Sequence, residues 1–253
     1  MTDTTILKLG GSVITDKDSP ETVDDEALKA VLDAVETAYK NPEASFRLVV
    51  VHGGGSFGHV HAAEHGVSTT DGTSEAAAAN AIHGAMKKLN RVVVDRLHDR
   101  EIEALPVHPL SVAARDDHGD LTLPSTATAG LLEEGFVPVL HGDVIAHTGE
   151  GVTVLSGDEI VTSLADSLGA SRVGLCSTVP GVLDADDTVI DEITDFEDVA
   201  AVLGDSESTD VSGGMAGKVR ELLALGAPAH IFGPDSVGDF LIGEQAGTLV
   251  DGC

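Results

Sequence analysis

Three of the seven lysines in the chain, Lys8, Lys17 and Lys218, stand in or beside glycine-rich turns. The turns read KLGGS (8–12), HGGGSFGH (52–59), HGD (141–143), SGD (156–158), TVPGV (178–182) and SGGMAGK (212–218). Glycines at the carboxyl end of a strand let backbone N–H groups approach an anion closely, and a helix N-terminus that follows adds its dipole. One such turn is ordinary. Six at the same edge of one sheet would form a rim for anions, at the edge where open α/β sheets hold ligands. Lys8 lies inside an apolar strand, where a lysine requires an anionic partner. The chemistry in view is positive charge and peptide N–H groups converging on phosphate.

Two nucleotide motifs can be tested against these turns, and neither fits. Gly53-x-Gly55-x-x-Gly58 has the letters of a dinucleotide fingerprint, which needs an acidic residue about 20 positions on at the end of a second strand. Asp71 and Glu75 lie near that distance but follow no strand. A P-loop would need glycine at Ser212 and Ser or Thr at Val219. A metal site at His59, His61 and His65 also fails. His61 and His65 share a helical face at best, no cysteine or carboxylate closes the set, and both read as surface residues.

The elements that would position the turns follow from hydrophobic patterning. Short apolar runs at 5–9, 46–51, 102–107, 135–140, 171–176 and 228–232 predict strands. Helical patterns fill 24–40, 74–99, 125–134, 157–168, 195–203 and 214–225. Buried strands alternating with helices predict a mostly parallel sheet covered on both faces. VIAHTGEGVTVL (144–155) predicts a hairpin, RDDHGDLTL (115–123) a second hairpin or turn, and GDSESTDVS (204–212) a polar, mobile loop. No repeat or low-complexity linker divides the chain, so residues 1–253 are expected to form one domain.

Composition narrows the partners. Forty-three acids against 14 bases give a formal net charge of -29, spread along the whole chain rather than gathered in a tail. Nucleic acid is therefore an unsuitable partner, because phosphate backbones need clustered positive charge. Dispersed acidity with few lysines predicts a protein that works in high salt, where screening removes self-repulsion; the alternative is an ordinary acidic cytosolic protein. Cys176 and Cys253 have no metal spacing and form no disulfide framework, which predicts a reducing cytoplasm. No signal-like start and no apolar run of about 18 residues are present, so no membrane span is expected.

The set KLGGSVITDK, HGGGSFGH, SGDEI, TVPGVLDAD and GGMAGKV, in this order along nearly the whole chain, resembles the amino acid kinase superfamily and within it the isopentenyl phosphate kinases. The resemblance implies a three-layer αβα sandwich around an open, mostly parallel sheet. It also implies a homodimer, an acceptor site in the N-terminal half and ATP in the C-terminal half. It implies that Lys8 and Lys218 contact the ATP phosphates, that Lys17 is the transition-state lysine, and that His59 donates to the acceptor phosphate. Gly54 and Gly157 match acceptor-site backbone positions. Gly10, Gly11, Ser12, Gly55, Thr178, Gly181 and Gly214 match the nucleotide side, and Asp158 matches an aspartate that orients the lysines. Mg²⁺ is expected to arrive with ATP without a protein cage, and no metal-ligating residue is assigned.

The implied reaction is ATP-dependent phosphorylation of isopentenyl phosphate to isopentenyl diphosphate. Two polyanions must be brought together, so catalysis is mostly positioning and positive charge. A phosphate monoester with a second pKa near about 6 is already an anionic nucleophile and needs no general base. Two rivals stay open: a kinase of the superfamily acting on a phosphonate, UMP or an amino acid, and a non-catalytic anion-binding protein. In EAAAANAIHGAMKKLN (75–90), Ile82 and Met86 share one helical face. That face either packs on the sheet or forms part of a prenyl pocket.

Overall fold

The computed structural model describes residues 3–203 and 214–252. The first half runs β1 (Asp3–Leu9), α1 (Gly11–Ile14), α2 (Asp25–Tyr39), β2 (Phe46–His52), α3 (Gly55–His65), α4 (Ala76–His98) and β3 (Ala104–Pro106). There follow β4 (Ala114–Arg115), β5 (Leu121–Thr122), α5 (Thr126–Glu133), β6 (Val137–His141), β7 (Asp143–His147) and β8 (Gly151–Leu155). The second half has α6 (Gly157–Leu168), β9 (Arg172–Cys176), β10 (Glu192–Ile193), α7 (Glu197–Leu203), α8 (Gly214–Leu223), β11 (Ala229–Phe232), α9 (Val237–Ile242) and β12 (Thr248–Val250).

Eight strands form the large sheet in the order β10-β12-β11-β9-β1-β2-β6-β3, parallel except where β11 meets β12. Side chains alternate across it, as the period of two requires. Leu7, Leu9, Leu48 and Val50 join one buried cluster with α2, α4 and α9. Ile6, Val49 and Val51 join another with α5, α6 and α8. Burial on both faces explains the near-continuous apolar reading of β1 and β2. The result is the expected αβα layering. The predicted hairpins are present in a second sheet ordered β5-β4-β7-β8, with β7 and β8 at 143–155 and β4 and β5 within 114–122.

The expected rim of six turns is only partly one edge. Four turns close parallel strands of the large sheet, after β1, β2, β6 and β9. SGD instead follows β8 of the small sheet, and the described part of SGGMAGK opens helix α8. Helix α3, which follows the triple glycine, went unpredicted, as did α9 and β12. The polar segment at 204–212, Gly213 and Cys253 lie outside the described residues.

α1 and α3 start side by side because their glycines permit it. A Cβ on Gly11 would run into the Gly55 backbone, and Gly55 itself has φ +46°, a conformation that favours glycine.

Candidate active site

The carboxyl edge of the large sheet opens into a cleft of about 380 Å³. Its lining includes Lys8, Gly10, Gly11, Ser12, Lys17, Gly54, His59, Gly157, Asp158, Thr178 and Lys218. Residues up to 210 positions apart in sequence thus meet around one space, Lys8 with Lys218 being the widest pair. Gly55, Gly181 and Gly214 do not line it. Gly55 lies under the α1–α3 approach, Gly181 packs against Thr248 and Val189, and Gly214 opens α8 with φ +64°.

Lys8 illustrates how the fold holds charge there. It is only 8% exposed, and its Nζ donates to Asp158 Oδ1 at 2.5 Å. Burial lowers its pKa, and the neighbouring Asp158 carboxylate opposes that shift. Asp158 is placed by a well-defined helix start. Ser156 Oγ accepts from Glu159 N at 3.1 Å while Glu159 Oε2 accepts from Ser156 N at 2.9 Å, a capping box that opens α6. Arg115 Nη2 then donates to Glu159 Oε1 at 2.5 Å, so the same glutamate ties the small sheet to the helix.

Lys17 and Lys218 differ from Lys8: neither makes an ion pair with a described residue. Lys17 is exposed in the loop after α1, and Lys218 is half-buried on α8. Glu221, one turn along α8, faces Lys8, Lys218, Asp158 and Glu159, and burial raises its pKa. Two lysines in a chain of net charge -29 therefore point their charge at a cleft rather than at a carboxylate partner. Such a cleft concentrates anions.

Part of the cleft lining is apolar. Ala62, Ala63, Val67, Ile82, Met86 and Val154 line it. Ile82 and Met86 are 2% and 1% exposed and belong to packed clusters as well, so the two readings of their helix face coexist. Gly58 lets α3 approach α4, since a Cβ there would sit 2.7 Å from Met86 Sδ. His59, one residue further on α3, stands beside Gly54: a Cβ on Gly54 would lie 3.3 Å from His59 Cδ2.

Histidine spacing gave no metal site, and the structure places His61 elsewhere, with its Nε2 2.7 Å from Glu21 Oε1. What the sequence reading missed is a different group. His52, His141, His108 and His83 form a chain of ring contacts that ends at Asp143, with His83 Nδ1 donating to Asp143 Oδ1 at 2.9 Å. These residues lie on separate elements. Only the paired His-Gly dipeptides at 52–53 and 141–142 could have hinted at them. Gly142, Asp143, Ser68, Thr69 and Ser177 also line the cleft without having been assigned.

Among the described residues no helix is long and apolar enough to cross a membrane.

Residues 3–232 match the amino acid kinase family. A protein from Haloferax volcanii named isopentenyl phosphate kinase is 62% identical over 247 residues, covering 98% of both chains. One of the same name from Methanocaldococcus jannaschii is 31% identical, again over 98% of each chain. Among solved structures, one described as isopentenyl phosphate kinase superposes with a TM-score of 0.81 at 30% identity, over 97% of this chain and 98% of that one.

Proposed function

The chain belongs to the amino acid kinase family and within it to the isopentenyl phosphate kinases, and from that premise we propose that it transfers the terminal phosphoryl group of ATP to isopentenyl phosphate, giving isopentenyl diphosphate and ADP in isoprenoid synthesis. The observation that carries this reading is a cleft that joins lysines and glycine turns to aliphatic side chains in one lining. An acceptor with a phosphate and a five-carbon chain has that same polarity. UMP or glutamate would leave Ile82, Met86 and Val67 without apolar contact.

Within this reading the labour divides as the family resemblance implies. His59 and the Gly54 and Gly157 backbone hold the acceptor phosphate, and Ile82 and Met86 bound its chain. Lys8, Lys218 and the turns at Gly10–Ser12 and Thr178 receive the phosphates of ATP, with the acceptor in the N-terminal half and the nucleotide in the C-terminal half. Lys17 approaches from its exposed loop to meet charge that develops on the migrating group. Asp158 keeps Lys8 aimed rather than acting as a base, because its Oδ1 is engaged by Lys8 Nζ. A non-catalytic anion binder would have no use for Lys17 as well as Lys8 and Lys218.

Mg²⁺ belongs with the phosphates of ATP and would neutralise part of their charge. Among the described residues no group of three or more His, Cys, Asp and Glu is arranged to hold a metal ion. The two carboxylates lining the cleft, Asp143 and Asp158, are engaged by His83 and Lys8. A homodimer in the cytoplasm accompanies this reading, and light scattering on the purified protein tests the dimer.

ATP consumption with isopentenyl phosphate, UMP, glutamate and fosfomycin as alternative acceptors is the direct test. Turnover is expected with isopentenyl phosphate. Preference for any of the other three would replace the assigned acceptor, and inactivity with all four would favour simple anion binding.

A further inference from the structure

His52 and His141 end adjacent parallel strands, β2 and β6, and are partners in register. Both are completely buried, and their rings stack with centroids 5.7 Å apart and planes 27° from parallel. Each ring turns onto the residue that follows it. His52 Nδ1 lies 3.1 Å from the Gly53 carbonyl, and His141 Nδ1 lies 2.8 Å from the Gly142 carbonyl. A carbonyl only accepts, so Nδ1 carries the proton in both rings. His141 Nε2 is then free to accept from His108 Nδ1 at 2.9 Å. His52 Nε2 is buried without a partner among the described residues.

The consequence lies on the opposite side of the peptide plane. In a trans peptide the C=O and N–H point in opposite directions. With the Gly53 carbonyl turned down onto the His52 ring, the Gly54 N–H of the same peptide is turned away from it. Gly54 lines the cleft next to His59, and no hydrogen bond among the described residues uses its N–H. The His52 main chain adds a second tie, because its carbonyl accepts from Gly142 N at 3.0 Å. Neither ring lines the cleft.

We infer that His52 and His141 are positioning residues, which fix the two His-Gly turns so that the Gly54 N–H and the Gly142 turn meet the acceptor phosphate. The inference rests on the assignment of that end of the cleft to the acceptor. Histidine suits the task because a neutral ring can bury completely while giving up one N–H at short range. Burial pushes the His52 pKa down to about 4, so the ring is uncharged near neutrality.

The wild-type protein provides the first test. Nitrogen NMR of the imidazoles should find His52 protonated on Nδ1; an Nε2–H tautomer would overturn the proposal. Steady-state kinetics provides the second. His52→Leu is expected to raise KM for isopentenyl phosphate about tenfold, the worth of one lost hydrogen bond, with KM for ATP within about twofold. His52→Asn sets an amide N–H near the place of Nδ1 and should hold the acceptor KM within about threefold of wild type. His52→Gln carries its donor one methylene further and should behave like the leucine variant. Equal effects of Asn and Gln, or parallel rises in both KM values, would refute the positioning role. If the leucine variant does not fold, the Asn–Gln comparison and the wild-type tautomer still decide. Wild-type turnover with isopentenyl phosphate tests the acceptor assignment separately.

Discussion

Lys8 and Lys17 line the same cleft in different surroundings, and their roles part accordingly. Lys8 is buried and paired with Asp158, whereas Lys17 is exposed and has no ion-pair partner among the described residues. Lys17→Ala is therefore expected to cost about 3–4 kcal/mol of transition-state stabilisation, read as a fall in kcat of roughly 10²–10³. A rise in KM at unchanged kcat would contradict that role. His59→Ala should lose about 1.5–3 kcal/mol through one charge-assisted bond, while His59→Gln, which keeps a donor, should retain more activity. Two variants indistinguishable from wild type would place the acceptor phosphate elsewhere. His52 makes a separate prediction about pH. Its folded pKa, about 4, lies below the ordinary value of 6.5. The unfolded chain therefore takes up the proton first, and stability present above pH 6.5 is lost as pH falls toward 4, by about 3 kcal/mol. Urea midpoints across that window should fall less in His52→Asn than in wild type. Lys8 and His59 were legible in the sequence because each sits in a local motif. His83, His108 and Asp143 were not, because only the tertiary fold brings them to His52 and His141.

Helices α3 and α4 supply Ala62, Ala63, Ile82 and Met86 to the cleft lining, and they differ in how openly the sequence announces them. α4 has 23 residues with Leu89, Val93 and Leu97 repeating toward the core, so its period is plain. α3 begins with a run that reads as a turn, and its only large buried apolar side chain is Phe57. Its stability comes from tertiary contact, with Ser56 N donating to Thr15 Oγ1 at 3.0 Å and Gly58 lying against Met86. Strands β1, β2 and β9 were legible for the same reason as α4, since burial on both faces demands apolar side chains throughout. β12, three residues long, and α9, six residues long, carry too little pattern to be read. On the proposed assignment Ile82 and Met86 bound the acceptor chain, so trimming either to Ala should shift preference from isopentenyl toward geranyl phosphate. An apolar pocket gains roughly 0.8 kcal/mol per buried methylene when room exists. The competing loss is a core cavity costing about 2–5 kcal/mol, so thermal melts must accompany the kinetics. A folded Ile82→Ala, Met86→Ala double variant with unchanged preference would move the pocket floor to other residues.

At the scale of the whole molecule, charge outweighs every local contact. Forty-three acids face 14 bases, and most of the bases are already committed. Lys29 pairs with Asp33, Lys40 with Glu36 and Glu101, Lys88 with Glu21, and Arg96 with Asp25, all on exposed surface. Surface pairs of this kind are worth about 0–1 kcal/mol each and cannot offset the unpaired acids. In dilute buffer those acids repel one another across the surface. Screening shortens their reach from about 10 Å at 0.1 M salt to about 3 Å at 1 M. The buried Lys8–Asp158 pair is shielded from the same ions, so salt should stabilise the fold without loosening that contact. The melting temperature is therefore expected to rise by about 10 °C or more between dilute buffer and molar KCl, each kcal/mol of relieved repulsion being worth about 2–4 °C at this chain length. KCl is the informative salt, because sulfate strengthens burial in most proteins by exclusion from their surfaces. Partial protonation of the carboxylates offers an independent check: at low salt, lowering the pH from 7 toward 5 should relieve the same repulsion, opposing the loss carried by His52. A melting temperature unchanged by KCl would show that the acidic surface is not the limit on stability, and the expectation of a high-salt protein would fall with it.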